Sequence, residues 1–277
     1  MLVHGITASG PMDRGAFGRA GRWAGASGEA GIEFTMAGLE LVVTEGRLAA
    51  GWDGGHFALT INGTAQDWPG RGELVAGDVL AITPGEGGNY GYLQFGASIE
   101  LPRVLGSFAT NTRARIGGLD GRALRPGDEL TLIGEGQAGQ DVPTVADEAG
   151  PIRFMWGLHA DQFSDAVTQR FPGAEFVVTR TLDRMGVRLE DRAGVFSGAS
   201  ILSLVSEPVV PGDIQIQGDG TPVVLMRDHQ STGGYPRIGT VISADLDRVA
   251  QMRPGTALAF EPVSVEHAHR LLRSSET

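Results

Sequence analysis

The densest group of side chains that could do chemistry lies in one loop between two predicted strands. A pair of glycines there lets backbone N–H groups approach a ligand and lets the backbone reach positive φ, while amide, hydroxyl and phenol groups supply directional hydrogen bonds. We predict a substrate-binding loop made of Gln230, Thr232, Gly233, Gly234 and Tyr235. A solvated hairpin turn is the alternative interpretation.

A pair of arginines precedes this loop in the chain. Arg184 and Arg188 are spaced i, i+4 in a strand-like run, which places both on one face. Such a pair could bind a carboxylate, and we predict that Arg184 supplies this charge to the substrate. Surface arginines that offset the acidic residues are the alternative. The spacing identifies no catalytic residue.

The composition excludes several chemistries. All 22 basic residues are Arg, and Cys is absent. The chain therefore offers no Schiff-base lysine, Walker-type lysine or biotinyl attachment site, and no thiolate, disulfide or zinc-thiolate site. The histidines show no ligand spacing supported by carboxylates, so we predict no metal site; those considered are His4, His56, His267 and His269.

The charge and the hydropathy pattern narrow the choice of partners. The net charge is −11, which repels phosphate backbones and argues against nucleic acid as a partner. The first residues lack the basic flank and apolar run of a signal peptide, and no long apolar run is present. We therefore expect a cytoplasmic protein that does not bind membranes.

Frequent turns and short strands predict a mainly β fold. The chain contains 43 Gly and 14 Pro, and short alternating or β-branched runs lie between them. Many short strands at such spacing are typical of barrels or sandwiches. The predicted strands are 39–44, 56–62, 79–83, 90–95, 129–133, 175–179, 214–217, 222–226 and 240–243.

Four helices are predicted from caps and apolar spacing. The first, over 11–24, has Ser9 as a candidate N-cap and Pro11 near its first turn, and helix capping also accounts for Asp13. His159 and Asp161 suit the start of the second helix. The other three predicted helices are 161–170, 245–252 and 265–273.

A repeated turn organises the chain into two predicted domains. Three segments each place a glycine turn before an alternating strand, at 75–82, 125–132 and 253–260. A common β-turn explains them better than a true repeat. A polar, Gly-rich stretch follows the second copy. We therefore predict a β-rich domain over 1–135, a linker over 136–150 and a second domain over 151–277.

Five separated runs resemble one known family, in order and over nearly the whole chain. They lie at 9–14, 105–122, 183–189, 206–217 and 220–236. The sequence resembles the KipA family, also called allophanate hydrolase subunit 2, the C subunit of 5-oxoprolinase or the biotin-dependent carboxyltransferase family. The resemblance implies cyclophilin-like β-barrel units in both halves.

The resemblance implies that the protein acts as one subunit of a complex. The expected function is that of a subunit in an ATP-dependent 5-oxoprolinase, which opens 5-oxoproline to glutamate beside a companion KipI-like protein, the B subunit of 5-oxoprolinase. ATP would then act at the level of the complex, and no cofactor is bound covalently. One alternative is the carboxyltransferase half of a urea carboxylase or allophanate system, with biotin on a separate carrier. Another is a non-catalytic regulator that binds a kinase inhibitor.

Three departures from the family pattern bear on the substrate. The run 88–98 lacks the family's Arg and Gly-Gly pair, and the usual Pro-Gly-Pro-Gln is replaced by 156–159. The family's opening strand would lie ahead of Met1, so we expect an exposed strand edge there. These changes suggest a side branch of the family and leave open which lactam or urea-like molecule is used.

Overall fold

The computed structural model describes residues 5–7, 9–26, 29–134, 139–143, 148–198 and 204–275. The chain divides into two compact units. The N-terminal unit is Ser9–Ala146, and the C-terminal unit joins Met1–Ala8 to Asp147–Thr277. The predicted linker includes residues 136–138 and 144–147, which lie outside the described residues. The predicted domain ranges stay a prediction.

The N-terminal unit is built on two four-stranded antiparallel sheets. One has the order β1-β8-β3-β6 and the other β2-β7-β4-β5, while β9 pairs with β10. Its elements are α1 (Arg14–Ala24), β1 (Ile32–Thr35), β2 (Leu39–Val42), β3 (Arg47–Gly54), β4 (Phe57–Ile61), β5 (Thr64–Gln66), β6 (Gly70–Val75), β7 (Val79–Pro84), β8 (Tyr90–Phe95), β9 (Ser98–Ile99), α2 (Gly118–Gly121) and β10 (Leu132–Ile133).

The core of this unit follows the alternation of its strands. Leu80 and Ile82 in β7 are buried, whereas the residues on either side are more exposed. In β8 all six residues are buried, because this strand pairs with β1 and β3 and is covered by α1. Apolar residues from both sheets form a single buried cluster, as expected for layers that share one core.

Helix α1 begins three residues later than predicted. Its N-cap is Asp13, whose Oδ1 accepts a hydrogen bond from the Ala16 backbone N–H at 2.8 Å. The expectation of Ser9 as the cap is wrong, because Ser9 lies four residues before the observed N-cap Asp13 and has a φ of 52°. Gly25 ends the helix in the left-handed conformation.

Helix α1 lies very close to β3, and a glycine makes this possible. A Cβ atom at Gly51 would lie 2.4 Å from both the Ala20 carbonyl oxygen and the Ala24 nitrogen. Any larger residue would therefore push the helix away from the sheet.

The C-terminal unit is a nearly closed barrel. Its eight-stranded sheet has the order β19-β12-β13-β16-β15-β18-β11-β20. Its elements are β11 (Ile152–Trp156), a 3-10 turn (Ala160–Gln162), α3 (Asp165–Arg170), β12 (Phe176–Leu182), β13 (Gly186–Asp191), β14 (Glu207–Pro208), β15 (Asp213–Ile216), β16 (Pro222–Leu225), β17 (Thr232–Gly233), β18 (Arg237–Val241), α4 (Ser243–Gln251), β19 (Ala257–Leu258), β20 (Phe260–Pro262) and α5 (Val265–Ser275).

One stretch of chain closes the barrel. Strands β19 and β20 are separated only by Ala259, and they pair with β12 and β11, the two ends of the rest of the sheet. Aromatic rings fill the interior beside this closure, where Phe171 stacks on Phe260 with centroids 5.0 Å apart. The expectation of a mainly β protein with a barrel-like unit is confirmed.

The later helices differ from their predicted limits. The predicted helix 161–170 is two elements, the 3-10 turn and α3, because Phe163 and Ser164 are extended and interrupt it. Helices α4 and α5 are shifted by one or two residues from their predicted ends. None of the helices in the described ranges has the length and apolar content needed to span a bilayer.

The three repeated segments all form β-turns. Their glycines, Gly77, Gly127 and Gly255, have φ values of 94°, 89° and 90°. In each turn the residue after the glycine donates its N–H to the carbonyl three residues earlier, at 2.9, 3.1 and 3.0 Å. Glycine is required here because a type II turn needs positive φ at this position.

Candidate functional site

A polar cavity of about 460 Å³ opens on the C-terminal unit. Strands β12, β13, β15 and β16 and the loop after β16 contribute to its wall. Its polar lining includes Arg180, Arg188, Gln215, Gln217, Gln230 and Tyr235. A cavity of this size with a few convergent polar groups is typical of a small-molecule site.

Two irregularities in strand pairing shape this cavity. The register between β12 and β13 shifts between Val178 and Leu182, the stretch that carries Arg180. The register between β15 and β18 shifts between Ile214 and Gln215. Bulges re-aim side chains and are frequent beside active sites. Both shifts therefore place polar cavity residues where a regular barrel strand would not.

Gln215 is the most buried polar group of the cavity wall. Its side chain is 3% exposed, and its Oε1 accepts a hydrogen bond from Gln230 Nε2 at 3.3 Å. Its Nε2 atom has no hydrogen-bond partner among the described residues. An unpaired buried amide donor costs free energy, and this one packs against Gly233.

The predicted loop is only partly brought to the cavity. Gln230 and Tyr235 line it, and the Tyr235 side chain is 40% exposed. Thr232 and Gly233 instead form β17, which pairs with β14, and the Gly234 carbonyl accepts the Leu204 N–H at 2.7 Å. The substrate-binding role of these five residues stays a prediction.

The two glycines of the loop do not have the backbone conformation that we expected. Neither Gly233 nor Gly234 is among the described residues with positive φ. Gly233 is needed for a different reason, because a Cβ atom there would lie 2.4 Å from Gln215 Nε2. The glycine therefore makes room for the buried amide.

Arg184 does not line the cavity. Its Nε and Nη2 atoms bond the two carboxylate oxygens of Asp228 at 2.7 and 3.0 Å, and the Asp228 side chain is 4% exposed. The Asp228 N–H also bonds the Arg184 carbonyl at 2.7 Å. Asp228 neutralises the guanidinium, and the prediction that Arg184 supplies charge to a carboxylate substrate stays a prediction. The ion pair instead fixes the loop that carries Gln230.

Two other arginines carry charge at the cavity. Arg188 donates to Gln217 Oε1 at 2.7 Å, which orients both side chains. The Arg180 side chain lies at the cavity, and its guanidinium makes no hydrogen bond or ion pair to any residue in the described ranges. An unpaired guanidinium at the cavity can bind a carboxylate through two parallel hydrogen bonds.

A buried ionic network holds β14 and β17 beside the cavity. Asp213, which is 1% exposed, accepts hydrogen bonds from Thr240 Oγ1 at 2.7 Å and Arg237 Nη1 at 3.4 Å. Arg237 Nη2 reaches Glu207 at 2.9 Å, and His159 Nε2 lies 3.3 Å from the same carboxylate. His159 occupies the N-cap position of the 3-10 turn, as expected, but its side chain makes no capping hydrogen bond, and its Nδ1 accepts the Arg237 N–H at 3.2 Å.

The buried His229 side chain forms a hydrogen bond within the loop that carries Gln230. It is 4% exposed, and its Nδ1 lies 2.6 Å from the Gln230 carbonyl oxygen. Burial lowers the pKa of His229 below its usual value, although the Gln230 carbonyl and the charges of Asp213 and Asp228 oppose this shift. The neutral imidazole therefore donates its Nδ1–H to the backbone of a cavity residue.

A second buried polar group lies in the N-terminal unit. The Tyr92 hydroxyl donates to Glu33 Oε2 at 2.9 Å and accepts the Asp13 N–H at 2.7 Å. Burial, followed by the negative charges of Glu33 and Asp13, raises the pKa of Tyr92 well above its usual value. These bonds join the start of α1 to β1 and β8. We interpret the group as structural.

The cavity is suited to binding a small polar molecule. It offers amide donors and acceptors, one phenol and a free guanidinium. Asp183 lies at the wall, but its Oδ1 accepts the N–H groups of Met185 and Gly186 at 2.7 and 3.2 Å. In the part of the chain that the structure describes, no three acidic or histidine side chains are grouped to hold a metal ion.

Sequence reasoning missed Gln215, although a signal was present. The run Ile214-Gln215-Ile216-Gln217 alternates isoleucine with glutamine. Such alternation predicts a strand with one apolar and one polar face, and a solvated polar face is the usual interpretation. Here Gln215 is nevertheless buried, because its face forms the cavity wall.

The chain is similar to known proteins along most of its length. The family model for the carboxyltransferase domain, subdomain A and B, matches residues 4–262. A Haemophilus influenzae protein, named as the C subunit of 5-oxoprolinase, is 32% identical over 209 residues, which cover 74% of this chain and 66% of that protein. An Escherichia coli protein of the same name is 31% identical over 274 residues, which cover 95% of this chain and 85% of that protein.

Solved structures share the fold. The crystal structure of Kluyveromyces lactis urea carboxylase matches with a TM-score of 0.86 and 27% identity, over 98% of this chain and 26% of that one. This chain thus spans about two thirds of the Haemophilus influenzae protein and about a quarter of the yeast structure. The resemblance carried by the five separated runs is confirmed. Since the family model covers nearly all of both units, the chain belongs to the family of the carboxyltransferase domain, subdomains A and B.

Proposed function

We propose that this chain is a subunit of an ATP-dependent 5-oxoprolinase complex that opens 5-oxoproline to glutamate. The observation that carries this proposal is the similarity to two bacterial proteins named as the C subunit of 5-oxoprolinase, one of them along 95% of this chain. The polar cavity supports it, because 5-oxoproline is a small lactam with one carboxylate.

The proposed division of labour follows from the groups that the chain contains. The cavity binds and orients the lactam through neutral amides, and Arg180 binds the carboxylate. A companion protein, similar to the B subunit of 5-oxoprolinase, completes the reaction site, and ATP acts within the complex. We therefore assign this chain to substrate binding and positioning.

Reconstitution tests this proposal. The chain is combined with proteins similar to the other subunits of 5-oxoprolinase, and glutamate and ADP are measured after 5-oxoproline and ATP are added. We expect turnover only when all subunits are present. Turnover that is unchanged when this chain is left out would refute its role as a subunit of this enzyme.

A carboxyltransferase is the second candidate function. The observation that favours it is the fold match to urea carboxylase over nearly the whole chain. In this case the cavity would receive the ureido ring of carboxybiotin from a separate carrier. Transfer of labelled carboxylate from a carboxylated biotin carrier to urea, without any 5-oxoproline turnover, would establish this alternative.

A further inference from the structure

Two guanidiniums at the cavity have no carboxylate bound to them. Arg180 and Arg188 both line the cavity, and neither forms an ion pair with a residue in the described ranges. Arg188 Nη1 donates to Gln217 Oε1 at 2.7 Å, so the group that orients this guanidinium is a neutral amide. The cavity wall therefore carries two positive charges that no ion pair within the described part of the chain neutralises.

The strand pairing places these two charges side by side. Between the paired positions Val178 and Leu182, β12 has three residues where β13 has only Arg188. Arg180 is the middle one of the three. Residues opposite each other on adjacent strands have Cβ atoms about 5 Å apart, and like charges in such a pair are destabilising. A bound anion would relieve this repulsion.

The acidic residues of this region do not bind the two arginines. Asp183 lines the cavity, but its Oδ1 accepts hydrogen bonds from two backbone N–H groups, at 2.7 and 3.2 Å. The pKa of Asp219 is lowered mainly by hydrogen bonds from Thr221 and less by the charge of Arg188. Both guanidiniums therefore keep N–H groups available to a ligand.

Two guanidiniums on one wall suit a ligand that carries two anionic groups. A planar guanidinium can bind a carboxylate through two parallel hydrogen bonds, and a single carboxylate would leave the second arginine unneutralised. We propose that Arg180 and Arg188 together form a two-carboxylate site that binds a short dicarboxylate. Monocarboxylates bind this site more weakly, because they pair with only one of the two charges.

This inference deepens the proposed function and rests on it for the identity of the dicarboxylate. Ring opening of 5-oxoproline breaks the lactam C–N bond and forms a bond from the carbonyl carbon to a water oxygen. Both hydrogens of the water end on the nitrogen, which becomes an ammonium group, and the carbonyl becomes a second carboxylate. In the product glutamate, Arg180 binds the carboxylate already present in the lactam, and Arg188 binds the one that the reaction creates.

The test measures direct binding to the full chain by calorimetry at neutral pH. The probes are L-glutamate and L-glutamine, which differ only in that glutamine has a neutral amide in place of the side-chain carboxylate. The variants are Arg188→Met and Arg188→Gln, the second of which keeps a donor near Gln217. The matched control is Arg270→Met, which removes an exposed arginine of α5 in the same unit. Circular dichroism identifies any variant that does not fold.

We expect the unmodified chain and the Arg270→Met control to bind glutamate about tenfold or more tightly than glutamine. Arg188→Met should reduce this preference to less than about threefold, by weakening the binding of glutamate rather than that of glutamine. If Arg188→Met does not fold, Arg188→Gln decides, with the same expected result. No binding of glutamate, equal binding of the two probes by the unmodified chain, or an undiminished preference in the folded Arg188 variant would overturn the inference.

The outcomes for the two-carboxylate site and for the proposed function are distinguishable. Glutamate binding that depends on Arg188, together with a reconstituted complex that does not open 5-oxoproline, would support the site and refute the function. An active complex whose chain binds glutamate and glutamine equally would refute the site alone.

Discussion

Arg180 and Arg184 lie four residues apart, but only the Arg184 guanidinium is neutralised by an ion pair within the described ranges. Arg184 binds the buried Asp228 through two hydrogen bonds, whereas Arg180 is exposed at the cavity without a partner in the described ranges. We therefore expect Arg184→Met to lower the free energy of unfolding by about 3 kcal/mol, because it leaves a buried carboxylate unpaired. Urea denaturation measures this change.

Arg180→Met is the matched comparison, since it removes the same group without breaking an ion pair. We expect the free energy of unfolding to change by less than about 0.5 kcal/mol. Affinity for 5-oxoproline should fall about tenfold, while affinity for 2-pyrrolidone, which lacks the carboxylate, should not change. Equal destabilisation by the two substitutions would contradict this assignment of roles.

Gln230 and Tyr235 are the two predicted loop residues that reach the cavity. Since each offers a polar group toward the ligand, Gln230→Ala and Tyr235→Phe should lower the activity of the assembled complex at least tenfold. Their melting temperatures should remain close to that of the unmodified chain. Ser231→Ala is the control, because Ser231 lies in the same loop, does not line the cavity and is not a predicted substrate-binding residue. Undiminished turnover in both variants would return this loop to a structural role.

The buried His229 predicts a pH dependence of stability. Burial lowers its pKa, so the folded state favours the neutral ring and the unfolded state takes up a proton first. The stabilisation is complete above the unfolded pKa of about 6.5 and is lost as the pH falls below it, with a slope of up to about 1.4 kcal/mol per pH unit.

The measurement is urea denaturation at several pH values between 7.5 and 5. His229→Asn should flatten the decline below pH 6.5, because asparagine can keep a side-chain donor near the Gln230 carbonyl without titrating in this range. His267→Asn, on the exposed surface of α5, should leave the decline unchanged. Identical profiles for the two variants would show that His229 is not the titrating group.

The types of residue in the sequence were enough to predict part of the candidate site. The glycine-rich loop pointed to Gln230 and Tyr235, since clustered polar groups beside glycines are unusual for a plain turn. Gln215 and Arg180 could not be selected this way. The alternation of isoleucine and glutamine predicts the strand that carries Gln215, but the placement of both side chains depends on two register shifts, which the alternating pattern of a strand does not show.

Among the secondary-structure elements, α1 depends on its cap. Asp13 bonds the Ala16 N–H and also joins the helix to Tyr92 through its own N–H. We expect Asp13→Ala to lower the free energy of unfolding by about 1 kcal/mol, the usual cost of removing an N-cap. Arg14→Ala, at the exposed next position, should cost less than about 0.5 kcal/mol. Equal unfolding curves for the two variants would show that the cap does not stabilise the helix.

Glycines within strands explain why some strands were predicted from the sequence and others were missed. Strand β8 was found with its observed limits, because its run is continuous and aromatic. Strands β3 and β6 were missed, since their glycines interrupt the alternating pattern. Gly51 makes room for α1, and Gly72 makes room for the Trp52 ring, whose nearest carbon would lie 3.0 Å from an added Cβ. Close packing of distant elements therefore masked the strand signal.

A buried charge likewise masked the start of strand β18. The strand begins at Arg237, which is 7% exposed, whereas the predicted strand began at residue 240. An arginine favours a loop in any sequence-based interpretation. Only the fold reveals that Asp213 and Glu207 neutralise it.

In the molecule as a whole, both units contain buried polar atoms without a hydrogen-bond partner among the described residues. They include Trp23 Nε1 and Gln94 Oε1 in the N-terminal unit and Gln215 Nε2 in the C-terminal unit, so such atoms do not distinguish the units. The proposed function places the ligand in the C-terminal unit because the polar cavity lined by Arg180, Gln230 and Tyr235 lies there.

A crystal structure of the full chain soaked with L-5-oxoproline is the most direct test of this placement. We predict density for the ligand in the cavity, with the lactam near the Gln230 side chain and the carboxylate near Arg180. Density for the ligand in the N-terminal unit, with none in the C-terminal cavity, would contradict it.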